Sequence, residues 1–569
     1  MKKFLFFSLL VLLAGCDKFT PPSSVFSLSE SSCTIYRNGT AQLTLLSSYA
    51  WTVSTTHPSI KVSTTGTVGV VSVSLDLLPE PKTEGFVGDV IFTSSQGLKI
   101  ELQVNYIPYI PIYTANDLKD VQKNLNERYI LMNDIDLTSL EWTPIGTLKK
   151  PFTGILKGDD KEITGLSIQT DKDYAGLFGY IEDATIEGLI LTGVSIEGAN
   201  IVGGIAGMSK YAQIINCSVS GTIQGLAAVG GIAGNSHNDE FNENSSEINI
   251  MDCTNNSNVI GVSAVGGIAG EHSGNSLNSH NTGVITGRQT LGGIAGSIWM
   301  GSVDNCTNSG NIQTSGANIE EDRNIGGIAG YSTGSVSNSY NTGNINATAN
   351  YVGGIVGENS GIVESCFNTG NILGGDRVGG IVGFNSYYVS NMVNNCFNYG
   401  FITGTRNIGG VVGYNNENSI ISNCYNRRNV KGSYTVGGLV GNNKGHIEKS
   451  YNATGVESTE EGDLGSVIGY NDGTFSGCYW DAELPQVLNN SSRSIKFGIG
   501  SDNKYDASRT TPLTTSQMTG SGVLTGAMSG LDAAFVKPTG NGYPELSVFA
   551  NSTDPVKKQR SEQSTKTDN

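Results

Sequence analysis

Six aromatic residues, Tyr340, Phe367, Phe397, Tyr425, Tyr451 and Tyr479, each follow a cysteine or serine, and all but the last precede an asparagine. Aligned in one column, their ring faces could stack on sugar rings or dock a protein. The preceding column holds Cys217, Cys253, Cys306, Cys366, Cys396, Cys424 and Cys478, with Ser279, Ser339 and Ser450 in other copies and Leu189 in the first. A position that accepts Leu, Cys and Ser reads as inward and tight, since a free thiol behaves as a small hydrophobe. Two residues later stand Leu191 and Val219, then Asn255, Asn281, Asn308, Asn341, Asn368, Asn398, Asn426 and Asn452. Residues two apart share a face of a strand, so the asparagines point inward as well, each amide bonded to the next. The aromatic column then points outward. Left open to solvent, it is a candidate ligand platform; under a loop, it only stabilises the sheet.

Other chemistry is sparse. The five histidines are scattered, and no His-Glu-x-x-His zinc motif or Gly-x-x-x-x-Gly-Lys-Ser/Thr phosphate loop occurs. Asp134 and Asp136 alternate toward one face, as a glycosidase pair or a Ca²⁺ site would, but a structural role in a capping segment is the better reading. Asp239-Glu240 and Glu320-Glu321-Asp322 read as solvated acidic loops, and Arg428-Asn429-Val430-Lys431 as a basic element without partner motifs. No catalytic residue, metal site or cofactor is therefore expected. The formal net charge of −17, without a basic stripe, argues against nucleic acid as a partner.

The elements that carry these columns are repeats. Gly176-Leu177-Phe178-Gly179 is followed by Gly203-Gly204-Ile205-Ala206-Gly207, and the phrase returns at Gly230, Gly266, Gly292, Gly326, Gly353, Gly379, Gly409 and Gly437 before degenerating at Gly465-Ser466-Val467-Ile468-Gly469. A spacing of roughly 26 to 36 residues marks a stacked architecture. Short Ile/Val clusters between Gly and Asn give two or three strands per repeat, one coil each, and hence an all-β parallel β-helix (a solenoid) of about eleven repeats. Ahead of it, short alternating strands such as Ala41–Leu45, Val70–Leu75 and Ile100–Val104, separated by turns, read as a β-sandwich. The Asn116–Leu125 segment has helical spacing and opens an N-terminal cap, which hides the terminal edge of the stack.

The chain starts with Lys2, Lys3 and an apolar Phe4–Leu13 run. Leu13-Ala14-Gly15-Cys16 resembles a bacterial lipobox, which implies cleavage before Cys16 and its acylation. A membrane would then be reached only through that lipid. The Trp51-x-Val53 strand, the Gly66 turn and the Leu102-x-Val104 strand resemble the BACON β-sandwiches of Bacteroidota, a resemblance that implies carbohydrate binding. Trp51 itself reads as core. The glycine phrases, with Asn133-Asp134-Ile135-Asp136-Leu137, Trp142-Thr143-Pro144-Ile145-Gly146, Cys478-Tyr479-Trp480-Asp481 and Gly542-Tyr543-Pro544-Glu545-Leu546, resemble GLUG-motif surface proteins, which include adhesins and the non-catalytic parts of IgA-specific metallopeptidases.

The resulting organisation is a signal peptide (1–15), a tether (16–24), a BACON-like, Ig-like sandwich (25–107), an N-terminal cap (108–174), GLUG repeats (175–480), a C-terminal cap (481–553) and a disordered tail (554–569). The function implied is that of a non-catalytic cell-envelope lipoprotein, outer-membrane-anchored and surface-exposed, acting as an adhesin or as a receptor for a glycan or a host or matrix protein. A carbohydrate-active β-helix enzyme and a purely structural scaffold are the alternatives. The seven repeat thiols are expected free, because neighbours stacked about 4.8 Å apart with parallel side chains suit a disulfide poorly.

Overall fold

The computed structural model describes residues 25–550, except 66–67, 79, 82, 238–247, 317–321, 387–390, 504–509, 532 and 538–541. The signal peptide, Cys16, the tether, the Gly66 turn, Asp239-Glu240, Glu320-Glu321 and the 554–569 tail lie outside the described residues. The chain divides into two compact units, Met1–Ile112 with Glu127–Met132, and Tyr113–Asn126 with Asn133–Asn569.

In the first unit, β1 (Phe26–Leu28), β3 (Ala41–Ser47), β6 (Gly69–Leu77) and β5 (Ile60–Thr65) form one sheet in that order. The other sheet orders β2 (Ser32–Tyr36), β8 (Lys99–Ile107), β7 (Phe86–Ser94) and β4 (Trp51–Thr55), with β2 parallel to β8. Alternation along each strand buries Leu43, Leu45, Val71, Val73, Leu75, Val90, Phe92, Leu102 and Val104 in one core. Trp51 packs its ring edge-on to Phe92, with centroids 5.6 Å apart, so it serves that core.

The second unit is a parallel β-helix. Helix α1 (Ala115–Asp120) opens it, held by a capping box in which Thr114 and Asp117 satisfy each other's backbone N–H. Leu118 and Val121 turn inward from it. Each coil then has three walls. In the coil of residues 350–375, Asn350–Gly353 lies in the second wall and Val356–Asn359 in the first. Ile362–Glu364, Phe367–Asn368 and Ile372–Leu373 make up the third. The strands of this coil pair in parallel and in register with their copies one coil on, as Val352 with Val378, Val356 with Val382 and Phe367 with Phe397.

Among the described residues, the first wall contains 12 strands and the second 10. The glycine phrase supplies eleven of the first-wall strands. The twelfth, Ile499–Asp502, pairs with Ile468–Asn471 from the worn copy Phe497-Gly498-Ile499-Gly500. The two glycines of the phrase do separate jobs. A Cβ on Gly353 would collide with the Val356 carbonyl oxygen, so the first lets the chain fold tightly from wall two to wall one. A Cβ on Gly354 would strike the side chain of Asn368 and the Gly380 carbonyl of the next coil, so the second makes room for the asparagine column.

That column is a continuous amide ladder. Asn255 Nδ2 donates to Asn281, Asn281 to Asn308, Asn308 to Asn341, Asn341 to Asn368, Asn368 to Asn398 and Asn398 to Asn426, all at 2.7–2.9 Å. Asn368 also donates to the Gly370 carbonyl at 2.8 Å and accepts from Gly370 N at 3.2 Å, so its buried amide is fully paired. The residue before each cysteine adopts the left-handed region, as at Ser365, Asn395 and Asn423 with φ of 53°, 52° and 52°. This kink puts Val363 and Cys366, three residues apart, both inside, and explains why Asn and Gly favour that position. All seven repeat cysteines are buried and free; burial pushes Cys306 and Cys478 up to about 12.

A second ladder lies inside the first wall, where Asn359 donates to Asn385, Asn385 to Asn415, Asn415 to Asn443 and Asn443 to Asn471 at 2.9–3.0 Å. It ends on Asp502 Oδ1 at 3.0 Å. Its signal is the Asn two residues after the closing glycine in the five phrases from Gly353 to Gly469, outside the Cys-aromatic-Asn phrase.

Candidate functional site

The third-wall aromatic column points out of the coil, between the inward cysteines and asparagines. Its rings lie almost parallel, with centroids at 4.7 Å for Tyr340–Phe367, 5.0 Å for Phe367–Phe397, 5.1 Å for Phe397–Tyr425 and 5.0 Å for Tyr425–Tyr451. It is not an open platform. Phe367, Phe397 and Tyr451 are 0% exposed, Tyr425 1% and Tyr479 7%; only Tyr340 is half-buried.

The C-terminal segment roofs the column. Phe549 sets its edge against Phe367 and Phe397 at 5.5 and 4.9 Å, and Phe535 leans on Tyr425 and Tyr451. Met518, Val523, Met528, Leu531 and Leu546 complete the apolar layer. Polar pins fix the roof: Tyr451 Oη donates to the Pro544 carbonyl, and Gly530 N donates to Tyr479 Oη at 3.1 Å. Asp481 accepts from Thr515 Oγ1 at 2.6 Å and Tyr543 Oη at 2.7 Å. Burial raises the phenols of Tyr425 and Tyr451 far above their ordinary range. A strip of stacked rings is too much apolar surface to leave in water, and the chain's own Met, Leu and Phe residues cover it.

A second aromatic strip lies elsewhere, on the outer side of the first wall and its corner with the second; Trp299 is exposed there, Tyr331, Tyr351 and Tyr414 are half-buried and Phe384 is buried among them. The residue after the closing glycine of each phrase faces out there. Tyr331, Glu358, Phe384 and Tyr414 occupy that register in consecutive coils. Trp299 is 48% exposed and packs on Tyr331 with centroids 5.1 Å apart. From the second wall, Tyr351 meets Phe384 at 5.1 Å, and Phe384 meets Tyr414 edge-on at 5.6 Å. The Arg377 guanidinium lies 4.7, 4.6 and 4.8 Å from the ring centres of Tyr351, Phe384 and Tyr414. Tyr351 and Arg377 reach outward from left-handed backbone, with φ of 58° and 57°.

Glu358 sits at the middle of this strip. Burial pushes its carboxyl up, while bonds from Asn324 and Ser386 and the charges of Arg323 and Arg377 pull it down. The net shift is upward, and a carboxyl raised by burial beside partly exposed rings is the kind of group found at functional sites. Glu271, raised by burial and bonded by Asn235 Nδ2 at 2.8 Å, shares the outward register three coils earlier. The sequence reading missed the strip because it followed the Cys-aromatic-Asn phrase and left the residue after each glycine phrase unexamined.

The other candidates resolve into structure. Asp134 Oδ1 accepts from Glu162 N at 2.9 Å, and Asp136 accepts from Thr138 N at 2.9 Å; the Thr138 side chain first, and its backbone N–H second, hold the Asp136 carboxyl low. Asp322, read as part of a solvated loop, is 0% exposed and pairs with Arg288 at 3.2 Å, since burial demands a counter-charge. Lys431 pairs with Glu457 at 2.7 Å along an open groove of about 290 Å³ that includes Phe401, Pro485 and Val487. Among the described residues, no group of three or more His, Cys, Asp or Glu could hold a metal ion, and no helix is long and apolar enough to cross a membrane.

Residues 287–313 and 322–346 match the family described as the GLUG motif. Those two turns of the coil are GLUG repeats. The chain is 38% identical over 142 residues to a protein named a Gly-rich membrane protein of Evansella cellulosilytica, covering 23% of this chain and 16% of that one. It is 33% identical over 146 residues to halomucin of Haloquadratum walsbyi, covering 22% and 2%. It is 32% identical over 190 residues to zinc metalloprotease ZmpC of Streptococcus pneumoniae, covering 33% and 10%. The chain thus spans only a small part of these proteins' length. A crystal structure described as an immunoglobulin A1 protease from Bacteroides ovatus aligns over 77% of this chain and 92% of that one, at 15% identity and a TM-score of 0.29.

Proposed function

We propose that this chain is a non-catalytic protein of the bacterial cell surface, held to the envelope by a lipid on Cys16, that binds an extended glycan along the strip from Trp299 to Tyr414. The observation that carries this reading is the half-exposed Trp299 packed on Tyr331, continued by Tyr351, Phe384 and Tyr414 in successive coils. Ring faces repeated at coil spacing suit a polymer better than a small molecule, and aromatic rings with one polar end are favoured at wet interfaces. The relatives named as a Gly-rich membrane protein and as halomucin agree with a surface role.

The protease names of other relatives do not extend to a catalytic reading here, as no zinc-binding His-Glu-x-x-His occurs in the chain. A glycosidase reading is disfavoured by spacing. Glu271 and Glu358 stand three coils apart, roughly 14 Å at ~4.8 Å per coil, beyond the ~5–9.5 Å that glycoside hydrolysis uses.

The test is a glycan and matrix-protein array with the purified chain and Trp299→Ala/Tyr331→Ala. The double variant should lose at least tenfold in affinity for every glycan the wild type retains. Equal binding by both, or capture of proteins alone, refutes the glycan strip. For the anchor, Cys16→Ala should leave the membrane fraction and lack the acyl mass; unchanged fractionation refutes it.

A further inference from the structure

We infer that the glycan taken by this strip is an acidic one, bearing carboxylates or sulfates, and that Arg377, Arg323 and Arg406 read its charge. The inference rests on the glycan-binding reading above and adds the chemical class. The whole chain carries a net charge of −17, with 34 Lys and Arg against 51 Asp and Glu. The corner beside the aromatic strip departs from that balance. In the second wall, Arg323 pairs in register with Asn350, and Asp376 with Arg406; both arginines are exposed. Arg377, next to Asp376, adds a third guanidinium amid the rings of Tyr351, Phe384 and Tyr414.

The local carboxylates are largely engaged within the protein. Asp376 Oδ1 accepts from Asn407 Nδ2 at 2.7 Å, and its Oδ2 is ion-paired with Arg377 at 3.7 Å. Glu358 is half-buried beneath the strip, between Arg323 and Arg377. Asp376 does not close a hydrogen bond with Arg377: its Oδ2 lies 3.7 Å from Nε, a buried atom that has no hydrogen-bond partner. Among the described residues of the corner, three guanidiniums stand against the two carboxylates of Asp376 and Glu358, with Asp376 Oδ2 ion-paired to Arg377, which leaves a local excess of positive charge on a chain that is acidic as a whole.

Three guanidiniums beside a row of rings match a polymer whose sugar faces stack and whose acid groups project to one side. Guanidinium forks bind carboxylate and sulfate in pairs of parallel hydrogen bonds. A neutral glycan would leave these forks without a match. An acidic protein would satisfy the charge without using the aromatic rings beside it, so a peptide is the competing outcome to be tested.

The experiment measures binding of the full chain to polygalacturonate, alginate and hyaluronan, each beside its carboxyl-reduced form, and to poly-L-glutamate. The wild type should bind at least one acidic glycan at least tenfold more tightly than its reduced partner, with affinity falling as salt rises. Arg377→Gln should erase that preference. Because Arg377 also packs on three rings, Arg323→Gln/Arg406→Gln, at two exposed positions, is the second variant and should reduce the preference at least threefold without shifting the melting midpoint. Equal binding to acidic and reduced forms overturns the acidic class but leaves the glycan strip standing. Absence of binding to any glycan in either form overturns both. Poly-L-glutamate binding as tight as the best glycan overturns the glycan class in favour of a protein ligand.

Discussion

The coil bears two aromatic columns, one on the third wall and one on the first, and both point away from its interior. On the third wall, Phe367, Phe397, Tyr425 and Tyr451 stack face to face within about 5 Å and lie under the C-terminal segment. On the first wall and its corner with the second, Trp299, Tyr331, Tyr351 and Tyr414 are tilted against their neighbours and remain partly open, and Arg377 lies over Tyr351 and Tyr414. Outward from a solenoid is thus not the same as exposed. The even column forms a flat apolar surface that another segment can cover, whereas the uneven column is broken by Glu358 and Arg377, which need water or a polar partner.

The comparison is broken most severely by Phe397→Ala. If the third-wall rings are core, this change should cost about 3–5 kcal/mol and loosen the roof, seen as faster amide exchange at Phe535 and Phe549. Trp299→Ala on the first wall should shift stability by no more than about 0.5 kcal/mol while lowering glycan affinity. Equal effects on folding would erase the distinction between the two columns.

Beneath the roofed column, Asn398→Leu removes both the acceptor of Asn368 Nδ2 and the donor to Asn426 Oδ1. Each orphaned buried group costs about 1–3 kcal/mol, so denaturant titration should show a loss of about 2–6 kcal/mol. A silent variant would mean the amide ladder does not support the wall that carries the rings.

Beneath the open strip's wall, the buried column contains a histidine where later coils have asparagine. His272 is fully buried, bonded to Ser276 Oγ at 3.1 Å, and burial lowers it from the usual 6.5 to about 4. The unfolded chain takes up a proton at this residue below pH 6.5 and the folded one does not. Its contribution is therefore complete above that pH and is lost as pH falls toward about 4. The margin of the wild type over His272→Ser, in urea midpoints, should shrink by about 3 kcal/mol between pH 7 and pH 4. A constant margin would mean that His272 is already protonated or solvated in the fold.

Much of this architecture was legible in residue spacing. The glycine phrase, the Cys-aromatic-Asn phrase and the period set the coil, because every rung must place the same groups at the same phase for parallel strands to pair. Leu189, Cys and Ser in one column, with Asn two residues on, were enough to orient the interior, since a strand's side chains alternate. Other features were hidden. The twelfth strand had lost the phrase, and the second amide ladder lay outside the motif being followed.

What the local pattern could not decide was which outward residues meet water. Periodicity reports the side of the coil on which a residue stands, and nothing about what lies over it. Phe549 is 182 positions from Phe367 in the chain, and their contact depends on the path of the C-terminal segment back across the third wall. The same holds for Arg377 and its three rings, which come from three different coils and two walls. Repetition by itself determined the coil and its inner ladders; burial of one aromatic column and exposure of the other were settled only by long-range packing, where apolar area is removed from water by whichever distant segment can reach it.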